Sequence, residues 1–382
     1  MVTVVISPRR VVKFLDGGGH FWVYMQYVQG LQQLGCEVYW LERFHSSGDQ
    51  ARDASVLSTF AKRMERYGLA GKLMLYVSHQ QSGDSGQPTY LGMTQREAEA
   101  LVRRADLLLN FDYSIDAALL SAFRRTAVVD IDPGLLQFWM ATRQLLVPPH
   151  DVYLTTGETV GTPSALFPDC GRPWVHIRPP VCLERWPYAH DPRCEAFTTV
   201  SSWWGHREYV TDGTQCYDNN KRTSFLEFVE LPGRTGQRLE LALFFGEGDA
   251  QDQRLLEEHG WRVRHSREVA ATPESYQAYI QRSRGEFSCA KPSCMKFQNA
   301  WISDRTLCYL ASGKPVVVQH TGPSSFLPNG EGMFRFATMQ EAAEALAAIN
   351  REYERQCRAA RAMAEAYFDA KQVLRAILNV AL

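Results

Sequence analysis

Two stretches of the 382-residue sequence set residues that do chemistry beside residues that shape the backbone. In "LDGGGHFWVYMQY", Leu15 to Tyr27, three glycines and His20 stand directly before a run of aromatic and apolar side chains. An imidazole changes charge near neutral pH and can act as a base, and adjacent glycines let the backbone come close to a ligand. The stretch does not complete the dinucleotide fingerprint G-x-G-x-x-G, because Trp22 stands at the third glycine position counted from Gly17. In "WISDRTLCYLASGKPVVVQHTG", Trp301 to Gly322, Ser303 is an N-cap residue, Asp304 and Arg305 open a helix, and Gly313 closes it. A helix start offers free amides and a positive dipole end, which suit a phosphate, and Arg305 can add a bidentate contact. Asp304 also stabilises the helix on its own and can accept hydroxyls. Lys221, opening "KRTSFLEFVEL", and Lys291, just past "GEFSCA", supply compact positive charge or are solvated surface lysines.

These residues are held by alternating strands and helices. "VTVVIS", "CEVYWLE", "KLMLYVS" (Lys72 to Ser78), "DLLLNFD", "TAVVDID" and "DVYLTTG" are short apolar runs of strand composition. Between them lie helical patterns, the first from Phe21 to Gly35 and others near 52–68, 94–105, 115–124 and 134–146. Such alternation predicts a parallel sheet covered on both faces, a Rossmann-like domain. From about 161 to 195 the text turns to "TPSALFPDCGRPWVHIRPPVCLERWPYAHDPRC", whose prolines suit an extended connection. A second alternation follows, from "AFTTVSS" to "KPVVVQH", and then amphipathic helix to the end.

The fold class is therefore α/β, with two tandem Rossmann-like, doubly wound domains facing across a cleft. The expected limits are 1–180, a linker at 181–195, a second domain at 196–360, and a last helix at 361–382 packing back across the first. Ligands of open parallel sheets bind beyond the carboxyl ends of the strands, so the loops after the strands are the candidate sites.

A formal charge of -1 and a pI near 6.8 favour a small or neutral partner over nucleic acid or an anionic membrane. No apolar run approaches the roughly 20 residues of a membrane span, and the start of the chain lacks a signal-peptide pattern, so a cytoplasmic location is expected. Nine scattered cysteines form no disulfide framework, and Cys289 and Cys294 lack the companions of a zinc site.

The tandem domains, the Gly-rich segment after the first strand, Lys221 and the late "ASGKPVVV" resemble GT-B glycosyltransferases. "DIDPGLLQFW", "YLTTGETVG", "SDRTLCYLASGKPVVVQHTG" and "LPNGEGMFRF" further resemble a bacterial group related to spore-maturation glycosyltransferases, over nearly the whole chain. The resemblance implies that the second domain binds a UDP- or dTDP-sugar, and that the first binds an acceptor. The nucleotide-sugar is then a co-substrate, with no other cofactor and no metal. Donor contacts fall on Lys221, Lys291, Ser303, Asp304, Arg305, Thr321 and Gly322. The paired-Glu pattern of retaining members is absent, since Cys308 and Ala300 stand at its two positions.

Inverting members place a histidine base after the first strand and orient it with an aspartate. His20 is the matching residue, with Asp112 as its partner and Asp132 as the competing acid; His20 as a ligand contact or as a structural helix residue are the other readings. Gly18, Gly19, Trp22, Asp132 and Glu158 are the candidates for acceptor contact, although helical spacing also suits Trp22 to a core. The function implied is transfer of a hexose to a small hydroxylated acceptor. Transfer to a polymer such as a surface glycan or modified DNA, and an inactive nucleotide-sugar-binding protein, are the alternatives.

Overall fold

The structure, a computed structural model, describes residues 1–77, 89–204, 209–211 and 216–382. Ser78, the last residue of the expected third strand, lies outside them. Eight strands form the first sheet: β1 Thr3–Ser7, β2 Glu37–Arg43, β3 Leu73–Val77, β4 Thr89–Leu91, β5 Leu107–Asn110, β6 Thr126–Asp130, β7 Val152–Thr155 and β8 Trp174–His176. Their order is β4-β3-β2-β1-β5-β6-β7-β8. All pairs are parallel except β3 with β4. β1, β5, β6 and β7 are buried along their whole length, which is why they read as unbroken apolar runs rather than alternating ones.

After β9 Ala196–Ser202, a small antiparallel hairpin of β10 Tyr209–Thr211 and β11 Cys216–Asp218 intervenes. β12 Arg238–Phe244, β13 Arg262–His265, β14 Gly285–Ser288, β15 Val316–Gln319 and β16 Met333–Phe336 complete a six-stranded parallel sheet, ordered β13-β12-β9-β14-β15-β16. Each sheet has one switch in strand order, between β1 and β5 in the first and between β9 and β14 in the second. Crevices form at such switches because connections on the two sides leave toward opposite faces.

The two domains share an apolar core. Residues under β1 and β2, such as Val4, Ile6 and Trp40, belong to the same cluster as Tyr276, Leu307 and Tyr309 of the second domain. Three C-terminal helices, Met339–Arg351, Tyr353–Tyr367 and Ala370–Ala381, close the chain. The last crosses to the first domain. Its Ala370 lies against Gly30, where a Cβ would approach the alanine's Cβ to 2.9 Å, and Arg125 Nε donates to the carbonyl of Ala381 at 2.8 Å.

The helix expected from Phe21 begins earlier, at Gly18, and runs to Gln33. Gly18, Gly19 and His20 are therefore its first turn and not a loop. The expected helix at 134–146 is only Leu135–Ala141, and "KRTSFLEFVEL" divides into Lys221–Leu226 and Leu231–Arg234. Pro232 cannot continue the earlier ladder of amide donors, so a new turn starts around it.

Candidate functional site in the interdomain cleft

His20 lies on the first-domain lip. Its Nε2 is 2.8 Å from the carbonyl of Arg9, and its ring meets Phe14 and Tyr24 edge-on at centroid distances of 5.8 and 5.4 Å. A carbonyl only accepts, so Nε2 carries the proton in this bond and Nδ1 keeps the lone pair. Burial, with the nearby Arg9 charge adding to it, holds the imidazole below its ordinary pKa despite the opposing carbonyl bond. The neutral form that a base requires is the one this pocket favours.

Asp112 does not orient His20, contrary to expectation. Its carboxylate accepts from the amide and hydroxyl of Ser114, at 3.1 and 2.9 Å, and its own amide is held by Asn110. This is the self-contained turn chemistry of an aspartate ending a strand. The Arg9 carbonyl takes the place assigned to a carboxylate. The charge of Asp132 acts on both domains: it pushes the Tyr24 phenol up, after burial, and acts on Cys294 of the second domain.

The Asp132 loop is fixed by Asp130, which is fully buried. Asp130 accepts from Gln137 and Thr155, both at 2.8 Å, and from the amide of Asp132 at 3.0 Å. Burial nevertheless pushes its carboxyl up to about 7. "DIDPG" is thus a built loop, anchored by its first aspartate and presenting its second.

On the opposite lip, Lys221 opens its helix just after the side chain of Asn220 caps Thr223 at 3.1 Å. Its Nζ donates to the carbonyl of Cys289, which follows β14, and lies 5.6 Å from the centre of the Trp301 ring. The lysine thereby spans the β9–β14 switch point. Burial first, and then the Arg305 charge, pushes its pKa down to about 7. No carboxylate lies within ion-pair distance of it among the described residues, so the site holds an uncompensated cation. Asn219, fully buried beside it, accepts from the Ser293 amide at 2.9 Å and leaves its Nδ2 without a partner among the described residues. Lys291 caps the short helix Pro292–Phe297 by position, and its charge also acts on Lys221.

Ser303 caps the helix Asp304–Ala311 as expected, its Oγ accepting from the Arg305 amide at 3.3 Å. Burial pushes the Asp304 carboxyl up to about 6, against the pull of the adjacent Arg305. Arg305 does not reach into the cleft, and this corrects its expected role. Its Nε donates to Glu286 at 2.7 Å, Nη1 to the carbonyl of Val200 at 2.9 Å and Nη2 to Ser288. Glu286 is fully buried, so the guanidinium is needed inward, where it neutralises a carboxylate in the sheet.

Several other expected ligand contacts are seam residues. A Cβ on Gly18 would fall 2.4 Å from the carbonyl oxygen of Thr272, and one on Gly19 would fall 2.9 Å from the Tyr276 ring. The glycines let the helix start approach the second domain, not an acceptor. Trp22 is buried and donates to the carbonyl of Pro273 at 3.0 Å, within an aromatic group that includes Tyr67 and Trp186. Glu158 crosses the seam to Ser325, accepting from its amide at 2.6 Å. Thr321 donates to the Trp301 carbonyl at 2.6 Å, and Gly322, with φ 135°, packs against Gln298 so tightly that any side chain would clash. Both shape the loop below Trp301.

That loop holds a residue with no sequence signal. Gln298 and Ala300 have φ of 49° and 57°, rare for residues other than glycine, and between them Asn299 donates to the Pro133 carbonyl of the first domain at 2.5 Å. Thr159 donates to the Gln298 carbonyl at 3.3 Å, so the loop is tied to two turns of the first domain. The lip-to-lip constellation is His20, Tyr24 and Asp132 against Lys221, Lys291, Trp301 and Asp304. A cavity of about 1020 Å³ lies elsewhere, near the amino ends of β9 and β12; of its five arginines Arg193, Arg238, Arg262 and Arg264 are each paired with a carboxylate, and Arg282 donates to the carbonyl of Ala278. Among the described residues, no group of three or more His, Cys, Asp or Glu could hold a metal ion, and no helix is long and apolar enough to cross a membrane.

No family model matches the sequence, and no curated protein matches it. Solved structures match along its whole length. An alpha-glucosyltransferase in complex with UDP and a 13-mer DNA is 12% identical with a TM-score of 0.62, over 99% of this chain and 98% of that one. HepE of Anabaena, in complex with UDP and glucose, is 11% identical with a TM-score of 0.57, over 99% of each chain. AviGT4, a glycosyltransferase involved in avilamycin A biosynthesis, is 14% identical with a TM-score of 0.52, over 99% of this chain and 96% of that one. The likeness is one of fold: this chain has the α/β architecture of the GT-B glycosyltransferases.

Proposed function

We propose that the protein is a glycosyltransferase that moves a hexose from a UDP- or dTDP-sugar to an acceptor hydroxyl, with inversion. The observation that carries this reading is the pairing of a half-buried, carbonyl-anchored imidazole on one lip with a buried lysine that no carboxylate pairs with among the described residues on the other, each at the switch point of its sheet. The solved neighbours that hold UDP support the choice of donor.

In this scheme Nδ1 of His20 takes the proton of the acceptor hydroxyl as its oxygen attacks the anomeric carbon. The bond from that carbon to the diphosphate breaks on the opposite face, and the leaving charge is met by Lys221, Lys291 and the amides at the Ser303-capped helix. The protein itself supplies the charge compensation, so the scheme contains no metal step. Asp304 accepts a sugar hydroxyl, and Asp132 faces the reacting centre from the acceptor side. The residues likened to the spore-maturation group, "DIDPG" and "TTGETVG", are the acceptor-side turns in this proposal.

A panel of UDP- and dTDP-hexoses offered with hydroxylated acceptors, read by mass spectrometry and by NMR of the product anomeric centre, tests it. An inverted product is expected. A retained configuration would remove direct displacement by a His20-activated hydroxyl, and binding of UDP without turnover of any donor would leave a nucleotide-sugar-binding protein. The reading of a polymer acceptor has one observation in its favour, the DNA held by a solved neighbour of the same fold.

A further inference from the structure

The loops after β1 and β2 leave adjacent parallel strands on the same edge as His20, with Ile6 in register with Trp40. They carry Arg10, Lys13, Arg43 and His45. The amide of Val12 donates to Glu42 at 2.9 Å and so ties the first loop to the end of β2, and the charges of Arg43, Arg10 and Lys13 oppose the protonation of His45 while that of Asp112 favours it. Arg43 ends β2. Its Nη2 donates to the Ser114 carbonyl at 3.2 Å, its guanidinium lies 5.8 Å from the Tyr76 ring centre, and its Nε is buried with no hydrogen-bond partner among the described residues. Arg10 has φ 59°, a strained backbone for an arginine.

No ion pair within 4 Å compensates Arg10, Lys13 or Arg43 among the described residues. Two carboxylates face the cluster and keep their charge when hydrogen-bonded: that of Asp112 acts on Arg43 and His45, and that of Asp116 acts on Arg43. Asp112 accepts from Ser114, and Asp116 accepts from the Leu119 amide at 3.0 Å. Glu42 accepts from Val12 and Trp40, both at 2.9 Å, and burial pushes its carboxyl up to about 8, so it adds no negative charge at neutral pH. Next to Lys13, Phe14 is 48% exposed and its ring meets that of His20. The cluster thus sets three cations, Arg10, Lys13 and Arg43, against two carboxylates, and an exposed aromatic ring and a base beside that excess positive charge suit a ring that carries an anion.

We propose that the acceptor is a small sugar phosphate, its ring against Phe14 and its phosphate held by Arg10, Lys13, Arg43 and His45, with a hydroxyl delivered to His20. This rests on the reading that the first domain binds the acceptor. It gives the overall near-neutral chain a local anion site that composition alone conceals.

The test titrates purified full-length protein, without donor, with glucose 6-phosphate, with glucose and with a short DNA duplex, by calorimetry. Saturable binding of glucose 6-phosphate, at least about tenfold tighter than glucose and weakened by salt, is expected. R43Q should weaken it at least about tenfold. The R10Q/K13Q pair, on exposed loop positions, should do the same with the melting temperature unchanged. Equal binding of glucose and its phosphate, or indifference to the charge variants, overturns the proposal. Tighter binding of the duplex than of the sugar phosphate overturns the small-molecule assignment. UDP is titrated into the same samples: loss of UDP binding with sugar-phosphate binding intact would count against the donor reading alone.

Discussion

Lys221 gives the sharpest test of the donor site, because its environment sets a pH at which the site should lose its charge. Its amine is buried, bonded only to a neutral carbonyl, and pushed down to about 7 by burial and by Arg305. A bound diphosphate would return it toward the ordinary lysine value of about 10.4. The free site is then half charged at pH 7 and about one hundredth charged at pH 9, while the complex stays charged. UDP affinity should fall on the order of 50-fold across that interval, about 2.3 kcal/mol, with a proton taken up on binding. Calorimetry at pH 7, 8 and 9 in two buffers of different ionisation enthalpy reads both quantities. Lys221→Met should bind UDP weakly and without this slope. The apo protein supplies an independent check of sign. The unfolded lysine holds its proton up to about 10.4 and the folded one releases it near 7, so between these values the unfolded state binds more protons and stability rises with pH. The melting temperature of the wild type should therefore climb relative to Lys221→Met from pH 7 to 9. A flat UDP affinity in the wild type, or an equal decline in the variant, would refute the reasoning.

His20→Gln should lower kcat by about 10²- to 10⁴-fold with UDP affinity unchanged, and the acid limb of the wild-type kcat/KM profile should lie below about 6.5, since burial favours the neutral ring. Asp112→Asn should leave that limb in place and change kcat only a few-fold, because its carboxylate serves Ser114; a limb that moves by a full pH unit would restore it as the partner of His20. Arg305→Met should destabilise the fold by about 3–5 kcal/mol by stranding Glu286, with most of that recovered in the double variant Arg305→Met/Glu286→Leu. An unchanged melting temperature with weakened UDP binding would instead return Arg305 to the diphosphate. Gly18→Ala should cost about 1–3 kcal/mol in chemical denaturation, since its Cβ would meet the Thr272 carbonyl at 2.4 Å, and a neutral result would show that the seam yields there.

The fold was legible because buried parallel strands and amphipathic helices write different periods into the sequence. "TVVIS", "LLLN" and "TAVVD" each became a wholly buried strand. Elements whose existence depends on neighbours left no such mark: β4, β8 and the β10–β11 hairpin are three residues per strand, too short for a period to show. The lone capping chemistry of Ser303 was readable because it is local, an oxygen and an amide two residues apart. The direction of Arg305, its neighbour, was not. That direction is set by Glu286, nineteen residues earlier in the chain and adjacent only once β14 is in the sheet.

The glycines before His20 show why spacing alone misassigns such residues. Three glycines in a row suggest a loop shaped to a ligand, yet here they relieve contact between two parts of the same chain, where Gly18 donates to the Ala270 carbonyl at 3.3 Å and Gly19 lies under Tyr276. The histidine after them is then fixed more firmly than a loop residue would be. It stands in the first turn of a helix whose start is pinned to the other domain, and its ring is held by the Arg9 carbonyl from the loop after β1. The imidazole position is thereby coupled to the domain seam, and the same seam carries Asn299 to the carbonyl of Pro133, beside Asp132. His20 and Asp132 are both positioned by contacts from the second domain, so the proposed geometry for proton removal depends on the two domains being docked.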